Sequence, residues 1–89
     1  MATIVTYDIP SKHRELKERM FNLGYKDSFP DANRKMVYLP NTTLYHQSKT
    51  AVQAKDDVKA ACVLLGTKLQ RCISSQLGPD WPGIFGEPF

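Results

Sequence analysis

Asp8 falls near the end of TIVTYDIP, residues 3–10, and is the only carboxylate in a run that is otherwise apolar or hydroxylated. Two chemistries suit an acid at the point where a strand gives way to a helix. It can accept hydrogen bonds from the free backbone N–H groups of the first helical turn and gain about 0.3–1 kcal/mol from the helix dipole. It can also hold a hard cation such as Mg²⁺, which takes one or two carboxylates and completes its shell with water and phosphate oxygens. One aspartate is a thin donor set, so the metal reading needs a second Asp8 from a twofold-related copy. The residue types leave both readings open.

The other candidate groups have weaker settings. Asp27 and Asp31 flank a turn, and Asp56 and Asp57 fall on the polar side of a helical pattern, so all four read as surface acids. His13 lies in a first helical turn, where the dipole disfavours its protonated form; it reads as a surface residue or as a base near a phosphate. His46 follows Tyr45 with no partner at a telling spacing. Ser11, Ser28 and Thr6 have no nucleophile-elbow context, and there is neither GxGxxG nor a Walker loop, so hydride transfer and nucleotide triphosphate hydrolysis are unsupported. Cys62 and Cys72 are the only 2 cysteines, without a CxxC, and read as apolar fillers rather than as a disulfide or zinc site.

The formal charge is +3 and the isoelectric point about 9.0, a balance that permits contact with nucleic acid without demanding it. Lys12, His13, Arg14, Lys17 and Arg19 crowd one helix, and Lys26, Arg34 and Lys35 follow. They cover the exposed half of that helix, diluted by Glu15 and Glu18, and read either as a solvated face or as a phosphate track. Tyr25, Phe29, Tyr38 and Tyr45 could stack on bases, although rings at strand spacing more often belong to a core.

Positioning these groups falls to six elements. In residues 3–9, Val5, Tyr7 and Ile9 alternate with Ile4, Thr6 and Asp8, which predicts a strand whose bulky side meets the helices. Asp8 then lies on the less protected face. Pro10 breaks the strand, Ser11 is the expected N-cap, and Leu16, Met20 and Leu23 form a buried helical stripe closed by Gly24. Glu15 and Arg19 are spaced for an i,i+4 pair. Residues 25–29 predict a short strand, 30–33 a turn, and 34–40 a strand with both faces apolar. Residues 41–43 read as a loop, and 44–47 as either an extended piece or a lead-in to a helix capped by Ser48 or Thr50. Ala51, Ala54, Val58, Ala61 and Leu65 predict the second helix, ended by Gly66, and residues 69–77 a last strand.

The resulting order, βαββαβ, predicts an α+β, ferredoxin-like domain: a four-stranded antiparallel sheet with both helices on one face. Residues 1–77 make the domain and 78–89 a C-terminal tail whose prolines and glycines exclude regular structure. Trp81, Phe85 and Phe89 of that tail would be a liability in water, so it is expected to dock on its own domain or on a neighbour. An 89-residue chain buries only about 60% of its unfolded surface, so a homodimer is a natural remedy. No run of about 18 apolar residues and no basic-then-apolar leader is present, and the expected location is cytoplasmic.

An apolar strand ending in Tyr-Asp-Ile, then a basic helix closing at LGY and a short strand with Ser-Phe, resembles CRISPR-associated protein 2 and the related virulence-associated protein D toxins. The likeness covers residues 3–29. It implies a small ferredoxin-like homodimer, either a metal-dependent nuclease or the DNA-binding centre of a spacer-integration complex, with Asp8 at the position of the family's functional aspartate. The segment KDSFPDANRK departs from the family pattern of a longer second strand, and the resemblance implies that the tail stands where the family has a strand exchanged with its partner. Two functions follow as expectations. In one, Mg²⁺ held by Asp8 of each subunit serves phosphodiester hydrolysis of DNA or RNA, with Lys12, Arg14 and Lys17 steering the backbone. In the other, a non-catalytic dimer docks a partner protein through its sheet face or through Trp81 and Phe85.

Overall fold

The alternation read in residues 3–9 organises the chain. The computed structural model describes residues 2–30 and 36–77. Its elements are β1 (Thr3–Asp8), α1 (His13–Asn22), β2 (Ser28–Pro30), β3 (Met36–Tyr38), β4 (Thr43–His46), α2 (Ala51–Leu65) and β5 (Arg71–Gln76). Thr3, Val5 and Tyr7 are buried, while Ile4, Thr6 and Asp8 are half-buried on the opposite side. β1 is the middle strand of a three-stranded antiparallel sheet, order β4-β1-β5. Val5 and Tyr7 share one core with Leu44, with Leu16 and Met20 of α1, and with Ala54, Val58, Ala61 and Cys62 of α2. Both helices therefore bury their apolar stripes against the side of the sheet that Val5 and Tyr7 define.

The helix ends test local chemistry. At α2, Thr50 is the one of the two expected caps that is used: Thr50 Oγ1 accepts from the Gln53 amide at 3.1 Å, and Gln53 Oε1 accepts from the Thr50 amide at 2.9 Å, a complete capping box. Gly66 ends the helix at φ 72°. At α1 the expected Ser11 cap is absent. Lys12 is the N-cap, at φ 65° and with no side-chain cap, a left-handed conformation that costs a non-glycine residue roughly 1–2 kcal/mol. Ser11 lies one residue too early, and its hydroxyl is hydrogen-bonded instead to Thr67 Oγ1 at 3.1 Å. The i,i+4 pair on this helix is Arg14–Glu18, at 3.2 Å, rather than Glu15–Arg19.

Between the helices, the strands expected at 25–29 and 34–40 are present in shortened form. β2 and β3 pair antiparallel from Ser28↔Tyr38 to Pro30↔Met36, and the Leu39 amide extends the hairpin by donating to the Asp27 carbonyl at 2.8 Å. Pro40, Asn41 and Thr42 interrupt the line, with Thr42 at φ 59°, and the chain resumes as β4. Thr43 and the ambiguous LYH segment are thus strand. Only one face of the 36–39 segment is covered: Val37 and Leu39 are buried, whereas Met36 is exposed. Lys26 and Tyr45 exchange two 2.8 Å backbone hydrogen bonds and tie the hairpin to the three-stranded sheet. The last strand is shorter than expected, six residues, and turns Cys72 and Ser74 inward while Ile73 is 70% exposed. Asp31, Arg34, Lys35, the turn expected at 30–33 beyond Pro30, and the tail with Trp81, Phe85 and Phe89 lie outside the described residues. Among the described residues no helix is long and apolar enough to cross a membrane.

Burial, helped by the neighbouring Cys62 thiol, pushes the Tyr7 phenol from 10.0 up to about 12. In the unfolded chain this proton leaves near 10.0, so between pH 10.0 and about 12 the folded state binds the extra proton. Stability is then present in full below pH 10 and falls as pH rises through the window. Urea midpoints measured across that range should fall with pH, and should fall less steeply for Tyr7→Phe.

Candidate functional site

Because facing residues on paired strands point to the same side, the sheet register fixes what the open face carries. Ile4 lies between Tyr45 and Ser75, Thr6 between Thr43 and Ile73, and Asp8 opposite Arg71. Thr43 Oγ1 donates to Thr6 Oγ1 at 3.3 Å within this face. A cavity of about 320 Å³ opens at its Asp8 end, lined by Thr6, Asp8, Arg71 and Ile73.

Asp8 is neither a helix cap nor a free carboxylate. Its Oδ2 accepts from Arg71 Nε at 2.7 Å, with the aspartate side chain 49% and the arginine 82% exposed. Four residues separate the end of β1 from the start of α1, so the carboxylate follows the pleat of β1 onto the open face instead of the helix axis. The backbone beneath is fixed as well, since the Gln70 amide donates to the Asp8 carbonyl at 2.9 Å. Thr67 Oγ1 also donates to the Ser11 carbonyl, at 3.2 Å. These bonds lash the loop after β1 to the loop before β5. Lys12, His13 and Arg14 enter α1 on one side of the lashing and Lys68 and Arg71 leave on the other, and all five side chains are exposed.

The three expected nucleic-acid contacts fare differently. Lys12 is exposed at the start of α1. Arg14 is 87% exposed and shares its charge with Glu18. Lys17 is committed to the fold: its Nζ lies 3.0 Å from Asp27 Oδ2 and 5.8 Å from the centre of the Phe21 ring, and it is 24% exposed. Asp27 is correspondingly more than a surface acid. The sequence reading passed over Lys68 and Arg71 because nothing local connects them to Asp8; the contact is made across 63 positions.

A second polar cluster sits at the other end of β1. Asp57, expected on a solvated helix face, is half-buried, and its Oδ2 accepts from Tyr25 Oη at 2.8 Å and from Lys49 Nζ at 2.5 Å. Burial, then the bond to Asp57 and that group's charge, push the Tyr25 phenol up. The Tyr25 and His46 rings meet edge to face at 4.8 Å. His46 Nδ1 accepts from the Ser48 and Lys49 amides at 3.1 and 3.2 Å, which places the ring proton on Nε2. Thr3 Oγ1 donates to the Lys49 carbonyl at 2.6 Å and anchors this turn to β1. With its phenol held neutral and its lysine paired, the cluster holds β1, α2 and the turn between β4 and α2 together.

The cysteines match the sequence reading. Both thiols are free. Burial raises Cys62, and burial foremost, with Cys62 beside it, raises Cys72 against a smaller pull from Lys55. Neither is a poised nucleophile. Among the described residues no three His, Cys, Asp or Glu side chains converge as a metal group. The chain matches no protein-family model and no curated protein.

The two carboxylates differ in how much depends on them. Asp57→Ala strands a half-buried ammonium and a buried hydroxyl, and should cost about 1–3 kcal/mol of stability in urea denaturation. Asp8→Asn removes an exposed pair and should cost at most about 1 kcal/mol in the same measurement.

Proposed function

We propose that this chain is a nucleic-acid-associated protein of the CRISPR-associated protein 2 or virulence-associated protein D type, working as a homodimer on a ferredoxin-like scaffold. The Lys26–Tyr45 hydrogen bonds support the scaffold, since they lead the β2–β3 hairpin onto the free edge of β4. The sheet would then read, from one edge to the other, hairpin, β4, β1, β5, which is the split βαβ arrangement. The observation that carries the functional reading is the Asp8 end of the open face. There a strand-terminal carboxylate pairs with Arg71, and the loops that run on from the two strands carry exposed Lys12 and Lys68, with Arg14 close by in sequence, where a phosphodiester backbone could approach. Binding of this kind loses affinity steeply with salt, because each neutralised phosphate releases counterions.

Phosphodiester cleavage makes a further demand on the same residues. The donor set fits Mg²⁺ only in a dimer, with one Asp8 from each subunit and both drawn off Arg71. Held there, the ion would supply the positive charge that hydrolysis of a phosphodiester needs. In a single chain, Asp8 provides the carboxylate, and Lys12 and Arg71 can orient the backbone.

The interaction-module reading has one observation of its own. Ile73 is 70% exposed beside Thr6 on a face that also carries Ile4, so the sheet offers apolar surface to a second copy or a partner protein.

Calorimetric titration with Mg²⁺ or Mn²⁺, with mass determined by sedimentation on the same sample, separates these. The nuclease branch expects one metal per dimer in the wild type, none in Asp8→Asn, and cleavage lost together with the metal. A dimer that binds oligonucleotide in a salt-dependent way but takes up no metal supports association without catalysis. A dimer that binds neither removes the nucleic-acid reading and leaves the interaction module.

A further inference from the structure

Arg71 has 82% of its side chain in solvent, yet its charge is spent on Asp8, directly opposite on the neighbouring strand. An exposed cross-strand pair of this sort adds little to stability, so a competing anion can take the guanidinium at small cost. Guanidinium binds phosphate oxygens as readily as carboxylate, in the same forked geometry. On either side, Lys12 and Lys68 are exposed on the two loops that the Ser11–Thr67 hydrogen bond holds together. No carboxylate partners either lysine among the described residues. The arrangement therefore sets two exposed lysines on the joined loops next to the strand ends that carry one guanidinium, which a carboxylate holds in reserve.

We infer that the Asp8 end of the sheet is a phosphate-backbone contact in which Asp8 acts as a brake: it occupies Arg71 until a nucleic-acid phosphate displaces it. This rests on the nucleic-acid reading and gives it residues. Lys12 and Lys68 make the first contacts, and Arg71 exchanges its carboxylate partner for a phosphate oxygen. The role assigned to Asp8 is opposite in sign to that of a metal ligand. Removing its charge should strengthen binding, whether or not any cleavage occurs.

The test is fluorescence anisotropy with short fluorescein-labelled single-stranded and duplex DNA, across a salt series, on the whole chain. The proteins are wild type, Asp8→Asn, Arg71→Gln, Asp8→Asn/Arg71→Gln, Lys12→Gln/Lys68→Gln and the control Asp56→Asn. Asp56 is an exposed aspartate paired with Lys55 on α2, and its substitution makes the same change in net charge. Asp8→Asn should tighten binding about two- to fivefold, the span of exposed ionic contacts, and the gain should vanish in the double variant with Arg71→Gln. For duplex DNA, Arg71 freed in this way should add about 0.9 to the salt slope, and loss of both lysines should remove up to about 1.8. Asp56→Asn should leave the affinity close to wild type. Asp8 is 49% exposed and the other substituted side chains are exposed, and circular dichroism melts check folding.

If Asp8→Asn and Asp56→Asn tighten binding equally, the effect is one of overall charge and the brake is overturned. Binding in the wild type that ignores the substitutions at Lys12, Lys68 and Arg71 overturns the site but keeps the nucleic-acid reading. No DNA binding at low salt by any variant removes the brake and the DNA branch of the nucleic-acid reading.

Discussion

β1 is hydrogen-bonded along both edges, from Thr3↔His46 to Thr6↔Thr43 on one side and from Thr3↔Gln76 to Asp8↔Arg71 on the other. Its alternation is thus imposed on three strands together. Val5 and Tyr7 enter the core opposite Leu44, Ser74 and Cys72, and the helices follow because that side is the only one apolar enough to take Leu16, Met20, Ala54 and Val58. A slip of one residue would carry Tyr7 into water and Asp8 into the core, and the cost of burying an unpaired carboxylate excludes it. The same rule that fills the core places Asp8 outside it.

What could be read from the residues alone follows the range of the forces involved. The strand alternation of residues 3–9 and the choice of Ser48 or Thr50 as the cap of α2 are set within a few positions, and so they were legible. The outward aspect of Asp8 was legible as well, since it is the pleat restated. Its partner was not, because Arg71 reaches it only after two helices and three strands have been placed. Asp57 shows the same limit more sharply. Its helical position is one that water usually claims, and only the arrival of Tyr25, 32 positions away, and of Lys49 buries it. The expected cap at α1 failed for a comparable reason. Ser11 has the right chemistry, but Thr67, 56 positions on, takes its hydroxyl first.

The ends of β1 are finished in contrasting ways. At the Thr3 end, charge is turned inward: Lys49, Asp57 and Tyr25 neutralise one another, and a histidine braces the turn with two backbone amides. At the Asp8 end, the loops are lashed by hydroxyl and backbone hydrogen bonds that spend no charge, leaving lysine and arginine side chains in solvent. An end whose loops are held without its lysines is an end whose lysines can be used. That difference, more than the overall charge, directs attention to the Asp8 side.

Gly24, where α1 ends, sits at φ 94°, and a Cβ there would lie 3.0 Å from His46 Nε2. The same imidazole holds the amides that lead into α2. One ring is therefore wedged between the exit of the first helix and the entrance of the second, with no slack for a methyl group on one side and two amides engaged on the other. The loops touching it cannot part independently, because loosening either withdraws support from the other. Two segments more than 20 positions apart in the chain thus form one mechanical joint.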